Sequence, residues 1–300
     1  MVKLNGLCKR LGGKTVLEDV FSHIEKGSIY GLIGSNGAGK STLLNLISGV
    51  YKADSGDVLV DGEAVYENIA VKNRIAYVSD DPYYFNSYSM KEMAEFLNAA
   101  YPSFSMEKFY EIAKSFPLNI KDRIGTFSKG MKRQAAIVLA LSQSPDLLLC
   151  DECFDGLDPV IKQLVKRILI SEVAERGMTV VISSHSLLEL ENLCDVVGIL
   201  HNNSIIVEKS MDEIKERLHK IQLAFKPMIE ESELPKGLEI VKCETRGNMM
   251  ELVVRGGISE INEKLSTLNP LIYDTIELTL EDVFIYEMEA SGYDFSKLLV

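Results

Sequence analysis

Residues 28 to 49 constrain the fold more than any other part of the chain. Ser28-Ile29-Tyr30-Gly31-Leu32-Ile33 reads as a short buried strand, and Thr42-Leu43-Leu44-Asn45-Leu46-Ile47-Ser48 reads as a helix stopped by Gly49. Between them, Gly34, Ser35, Asn36, Gly37, Ala38, Gly39, Lys40 and Ser41 satisfy G-x-x-x-x-G-K-[ST], the pattern of a backbone loop that wraps a triphosphate. Glycines lack the Cβ that would keep successive N–H groups from pointing inward at phosphate oxygens. Lys40 is then a compact cation for the β and γ phosphates, Ser41 a hydroxyl for Mg²⁺, and the helix N-terminus beginning near Thr42 adds partial positive charge. Strand, loop and helix in this order predict an α/β protein of the P-loop NTPase class.

A second apolar strand, Leu147-Leu148-Leu149-Cys150-Asp151-Glu152, ends in adjacent carboxylates. Successive strand residues face opposite ways, so the two acids are expected to play different parts. Asp151 is suited to hold Mg²⁺ through its water shell, and Glu152 to polarise a water that attacks the γ-phosphate. The bland alternative is an acidic pair capping the next turn.

With these two elements, the chain resembles the ABC ATPase family, the nucleotide-binding subunits of ATP-binding cassette transporters, over about residues 1 to 215. Phe127-Ser128-Lys129-Gly130-Met131-Lys132-Arg133-Gln134 is similar to that family's signature sequence, Gly156-Leu157-Asp158 to its D-loop, and His185 to its switch histidine. Taken without the family, Ser128 is a helix cap and His185 a histidine at a strand end. The resemblance implies a RecA-like core with an antiparallel β subdomain and a helical subdomain at about 88–145. It also implies ATP and Mg²⁺ as ligands and a head-to-tail dimer, either of two copies or with a related subunit. In that dimer Ser128 and Gly130 of one subunit face the γ-phosphate held by Gly39, Lys40 and Ser41 of the other, with Asp158 in the same site and His185 beside Glu152. The implied activity is ATP hydrolysis that drives a separate transmembrane permease.

The chain departs from the family pattern at several positions. Leu11 stands where an aromatic ring usually stacks on adenine and offers apolar contact alone. Asp80 falls where a glutamine usually reaches Mg²⁺ and the permease interface; its carboxylate either adds negative charge near the metal or, after a one-residue shift, stays solvated. Lys129 and Met131 replace a glycine and a glutamine within the signature. Cys150 and Cys153 form a C-x-x-C with no second pair to complete a zinc site, and are expected to be packed thiols.

The remaining sequence sets the surroundings. Three hundred residues suggest one large domain, 1–218, and a small α+β accessory domain, 219–300. The latter carries a strand at Ile221–Phe225, a hairpin around Arg246-Gly247-Asn248, a helix at Ile258–Leu268, a strand near Ile272–Leu278 and a final helix from Leu280. A charged helix is expected near Met211 to His219. The run Leu280-Glu281-Asp282-Val283-Phe284-Ile285-Tyr286 is similar to the tail of exporter-type ATPases. No stretch approaches about 18 uninterrupted apolar residues, so the expectation is a cytoplasmic subunit held at the inner face of the membrane by its permease. The irregular aromatic run Pro82-Tyr83-Tyr84-Phe85-Asn86-Ser87-Tyr88 is the expected anchor for that partner. A formal charge of −12 argues against nucleic acid as a partner, and five scattered cysteines fit a reducing compartment. The competing reading is a soluble ABC protein acting on ribosomes or nucleic acid; a plain P-loop kinase is disfavoured by Ser128, Gly130, Asp158 and His185 following in sequence.

Overall fold

The computed structural model describes residues 1–185, 187–191, 193–213, 218–276, 278, 279, 282 and 286. The chain divides into two compact units, Met1–Glu208 and Lys209–Val300.

The first unit is built on a six-stranded sheet. Its strands are β3 (Ile29–Ile33), β6 (Ile75–Val78), β7 (Leu147–Asp151), β8 (Thr179–Ser184), β9 (Val196–His201) and β10 (Ser204–Ser210), in the order β10-β9-β3-β8-β7-β6. β3, β7 and β8 are buried at every position, as strands covered on both faces must be. β6, β7, β8, β3 and β9 run parallel, so their carboxyl ends open on one side of the sheet. In open α/β sheets that side carries the ligand crevice.

A second, antiparallel sheet has the order β2-β1-β4-β5, from β1 (Val2–Leu11), β2 (Lys14–Ile24), β4 (Ser55–Val60) and β5 (Glu63–Ala64). Here β1 alternates buried and exposed residues along its first half, the pattern of a sheet with one wet face. Helix α1 (Lys40–Ile47) lies between the sheets: Leu43, Leu44, Leu46 and Ile47 share a core with Val2, Leu4, Leu17 and Val20 on one side and Leu32, Leu149 and Val181 on the other. Burying apolar area at about 25 cal/mol per Å² ties the phosphate-site helix rigidly to both sheets.

The expected helical portion is present. After the short α2 (Ile69–Lys72) and strand β6 come α3 (Met90–Ala100), α4 (Met106–Ala113) and α5 (Lys129–Ser142). α3 opens with a capping box in which Ser89 Oγ accepts from Glu92 N and the Glu92 carboxylate accepts from Ser89 N. Those hydrogen bonds hold the Glu92 carboxyl below its usual range. α6 (Pro159–Arg176) and the four-residue α7 (Leu187–Leu190) complete this unit.

The second unit is a four-stranded antiparallel sheet in the order β12-β13-β11-β14, from β11 (Leu218–Ala224), β12 (Glu239–Arg246), β13 (Met249–Arg255) and β14 (Ile272–Ile276). Ile221, Leu223, Met250, Leu252 and Val254 pack with Ile261 and Leu265 of α8 (Ile258–Ser266). The expected hairpin is the two-residue turn at Gly247 and Asn248, with Gly247 at φ +64°.

Two expectations need revision, and a third falls largely on residues the structure does not describe. Leu218 and His219 belong to β11 and to the second unit, so the division falls at Glu208/Lys209 and not at 218/219. Of the charged helix expected near Met211 to His219, residues 211–213 are helical, 214–217 lie outside the described residues, and His219 is strand. Of the tail Leu280 to Tyr286 and the final helix, Asp282 and Tyr286 alone are described, and the rest lies outside the described residues.

Candidate nucleotide site

The phosphate loop leaves β3 and enters α1 as the sequence predicts. Gly39 is the N-cap of α1 at φ 109°, a conformation strongly unfavourable for a residue with a Cβ. Gly34 is required for a different reason: a Cβ there would lie 2.6 Å from the Leu200 carbonyl oxygen of β9. Lys40 is 6% exposed, and its Nζ donates to the carbonyl oxygens of Gly34 at 2.7 Å and Ser35 at 3.3 Å. A cavity of about 250 Å³ is lined by Val16, Asn36, Gly37, Gly39, Lys40, Ser41, Thr42, Asp80 and Glu152.

The carboxyl ends of β7 and β8 supply the acidic half. Asp151 is buried; its Oδ1 accepts from Ser183 Oγ at 2.6 Å and its Oδ2 from the Tyr77 hydroxyl at 3.3 Å. Burial, reinforced by the Asp151 charge, pushes the Tyr77 phenol far above its ordinary value, so it stays a donor. The Glu152 side chain meets partners different from those of Asp151, and strand alternation is not the cause. The strand ends at Asp151, and Glu152 adopts φ 49°, the left-handed region that costs a residue with a Cβ about 1–2 kcal/mol. Its backbone N–H donates to both Ser183 O and Ser183 Oγ, which holds the turn.

That turn brings three groups together. Glu152 Oε1 lies 3.3 Å from Lys40 Nζ, and Glu152 Oε2 lies 2.9 Å from His185 Nδ1 and accepts from the His185 backbone N–H at 3.3 Å. Lys40, Glu152 and His185, 145 positions apart in sequence at the extremes, thus form one contact chain at the ends of β3, β7 and β8. Asp155 joins them: ligand atoms of Glu152, Asp155 and His185 lie within 4.8 Å of one another.

The other expected residues are placed as follows. Ser128 is the N-cap of α5, its Oγ accepting from Met131 N at 3.2 Å. Gly130 packs against the loop after β7, so close that a Cβ would lie 2.6 Å from Gly156 O. Asp158 caps α6, its Oδ1 accepting from Val160 N and Ile161 N at 3.0 Å each. Asp80 lines the cavity, and its Oδ1 accepts from Arg133 at 2.9 Å. Cys150 and Cys153 are buried free thiols; a hydrogen bond with Cys150, together with burial, pushes the Cys153 thiol well up and keeps it neutral.

Leu11 ends β1 at 38% exposure, outside the residues that line the cavity, whereas Val16 of β2 reaches it. Leu11→Tyr should tighten ATP binding by about 0.5–1.5 kcal/mol if adenine passes over that strand end. A titration returning the same dissociation constant would place the base elsewhere. Val16, Asp155 and Arg133 were not singled out from the sequence as site residues: Val16 carries no motif, Asp155 sits between two recognised motifs, and Arg133 lies inside the signature-like run with no part of its own assigned to it.

A glycine loop from a parallel strand into a helix, a carboxylate pair at the carboxyl end of another strand and a histidine just past the end of the strand between them define a P-loop nucleotide-binding cassette. The ABC transporter family profile matches residues 17–155. Among relatives, the ABC transporter ATP-binding protein YtrB of Bacillus subtilis (strain 168) is 33% identical over 289 residues, covering 95% of this chain and 97% of its own. The lantibiotic transport ATP-binding protein SrtF of Streptococcus pyogenes is 34% identical, covering 75% of this chain and 98% of its own. A solved structure described as the ATP-binding subunit of an ABC transporter superposes with a TM-score of 0.67 at 28% identity, over 72% of this chain and 92% of the other. The chain belongs to the ABC transporter family, as an ATP-binding cassette with the family's ATPase activity. The YtrB match is longer than the first unit, so it extends into the second, whereas SrtF matches a length close to that of the cassette.

Proposed function

We propose that this chain is the ATP-hydrolysing subunit of a bacterial exporter, which pairs head to tail with a second cassette and drives a separate transmembrane permease. The Lys40–Glu152–His185 contact chain carries this reading, because it sets a phosphate cation, a base and a polar ring around one point. In this reading Gly34, Ser35, Asn36, Gly37, Ala38, Gly39, Lys40, Ser41 and Thr42 cradle the ATP phosphates, and Glu152 orients the attacking water with His185 beside it. Ser128, Gly130 and Asp158 complete the site of the partner cassette.

The donor set also suits Mg²⁺. Ser41 offers a hydroxyl at the start of α1, and Asp151 keeps lone pairs beyond the two hydrogen bonds it accepts, which are the hard oxygen ligands this cation prefers. When bound, the cation offsets the negative charge of the phosphates.

The described residues contain no helix long and apolar enough to cross a membrane, which accords with a pore carried by another polypeptide and a subunit peripheral to the inner membrane face. The aromatic run supports a docking place for it. Tyr83 is 84% exposed, Phe85 makes ring contacts with Tyr83, Tyr88 and Phe96, and a groove of about 380 Å³ beside them is lined by Val50, Tyr83, Tyr84, Met93, Leu97 and Tyr101 among others. SrtF is named for lantibiotic transport, which favours a permease over the ribosome-bound alternative and an antibiotic-like cargo over a nutrient.

The test is co-purification from membranes with a permease encoded beside the gene. Tyr83→Ala should weaken the complex by about tenfold or more, as loss of an aromatic anchor does, while ATPase activity of the free subunit is kept. Undiminished retention by the variant, or tight RNA binding at physiological salt, would count against the reading.

A further inference from the structure

Arg133 lies in the second turn of α5, and its side chain is 1% exposed. One of its terminal nitrogens donates to the Ser79 carbonyl at 2.9 Å and the Asp151 carbonyl at 3.3 Å; the other donates to Asp80 Oδ1 at 2.9 Å. A single guanidinium therefore joins α5 to the carboxyl ends of both β6 and β7. The planar fork of arginine suits such divergent acceptors, where a lysine ammonium would not span them. The two carbonyls satisfy hydrogen bonds but carry no net charge, and a buried cation without a counter-charge is strongly destabilising. Asp80 supplies that counter-charge from the water side, its own side chain being 56% exposed.

The same stretch of α5 meets the loop after β7 a second time. Gly130 approaches Gly156 O so closely that no Cβ fits, and the Tyr84 hydroxyl donates to Lys132 O at 3.0 Å. The helix start that carries Ser128 is thus keyed to the strand end that carries Asp151 and Glu152.

We propose that Asp80 is a positioning residue and not a metal ligand: by neutralising Arg133 it holds the first turns of α5, with Ser128 and Gly130, in place against the carboxyl ends of β6 and β7. A glutamine at position 80 could accept the same hydrogen bond but could not balance the charge. The proposal rests on the cassette reading for its consequence, but its geometry is testable without nucleotide.

Hydrogen–deuterium exchange of the full chain, free of nucleotide and Mg²⁺, should show Asp80→Asn accelerating amide exchange over residues 132–137 by about tenfold, with Asp80→Glu close to wild type. In ATPase assays Asp80→Asn should lower kcat by about tenfold while the Mg²⁺ concentration for half-maximal rate stays within about twofold of wild type. Unchanged exchange in Asp80→Asn, or a several-fold rise in its Mg²⁺ requirement, overturns the assignment. Since the exchange arm involves no catalysis, an inactive wild-type protein would count against the ATPase reading and leave this test standing.

Discussion

Replacing Glu152 by Gln should leave ATP binding intact, slow hydrolysis by roughly 10²–10⁴-fold, and convert the protein to an ATP-dependent dimer. The amide keeps the shape of the carboxylate and can still accept from the His185 backbone N–H, so the left-handed turn at Glu152 need not relax. What it loses is the negative charge that draws a proton from water and that pairs with Lys40 Nζ at 3.3 Å. With that pair gone, Lys40 is freed for phosphate, and binding should hold or improve. Because ATP in this reading is gripped by two chains, blocking its consumption should trap the closed pair. Size-exclusion chromatography with and without ATP-Mg²⁺ measures this directly. A variant that stays monomeric in both, while still binding ATP, would sink the two-chain site; one that hydrolyses at the wild-type rate would remove Glu152 as the base.

Gly130→Ala should have the second largest effect, and its direction opposes ordinary helix energetics. Alanine is favoured over glycine within a helix by about 0.5–1 kcal/mol, so the change would normally stabilise. Here the added Cβ would sit 2.6 Å from the Gly156 carbonyl oxygen, a backbone atom that cannot swing aside as a side chain would. Overpacking of this kind costs about 1–3 kcal/mol, and the relief available is a shift of the α5 start away from the loop that leads to Asp158. A displacement of about 1 Å between groups that must meet across one phosphate can cost on the order of 10²-fold in rate. A lowered melting temperature together with ATPase turnover reduced by about that factor is the expected pair of results. A variant as stable and as active as wild type would show that the close approach is unnecessary.

How far the site could be read beforehand differs from residue to residue. Lys40, Ser41, Asp151 and Glu152 were legible because each is bound to a short local pattern whose chemistry needs that residue type at that spacing. The strand, loop and helix around Lys40 appear within two residues of where apolar periodicity puts them. The direction of Glu152 was anticipated for the wrong reason: alternation along a strand was assumed, whereas a left-handed turn braced by Ser183 aims it. Arg133 gave no signal, since an arginine between Lys132 and Gln134 reads as solvated until the ends of β6 and β7 are seen to close over it. Asp80 was visible as a departure, but the arginine it neutralises lies more than fifty positions away.

The boundary near 218 shows the same limit at the scale of a domain. A charged stretch suggested helix up to His219, but His219 pairs with Val254 in an antiparallel sheet, and pairing with a strand so distant in sequence outweighs local propensity.

By itself, then, the sequence determined the chemistry available to this protein: a glycine loop ending in lysine and serine, two acids at the end of an apolar strand, and an amphipathic helix with a serine at its head. These follow from local rules, in which steric freedom, charge and periodicity act over a few residues. Tertiary structure alone decided that Lys40, Glu152, Asp155 and His185 share one point, that Arg133 is buried with Asp80 as its counter-charge, and that Gly130 is pressed against Gly156. Those contacts join segments that meet because a parallel sheet gathers its strand ends on one side, a consequence of the whole core's packing that no window of neighbouring residues contains.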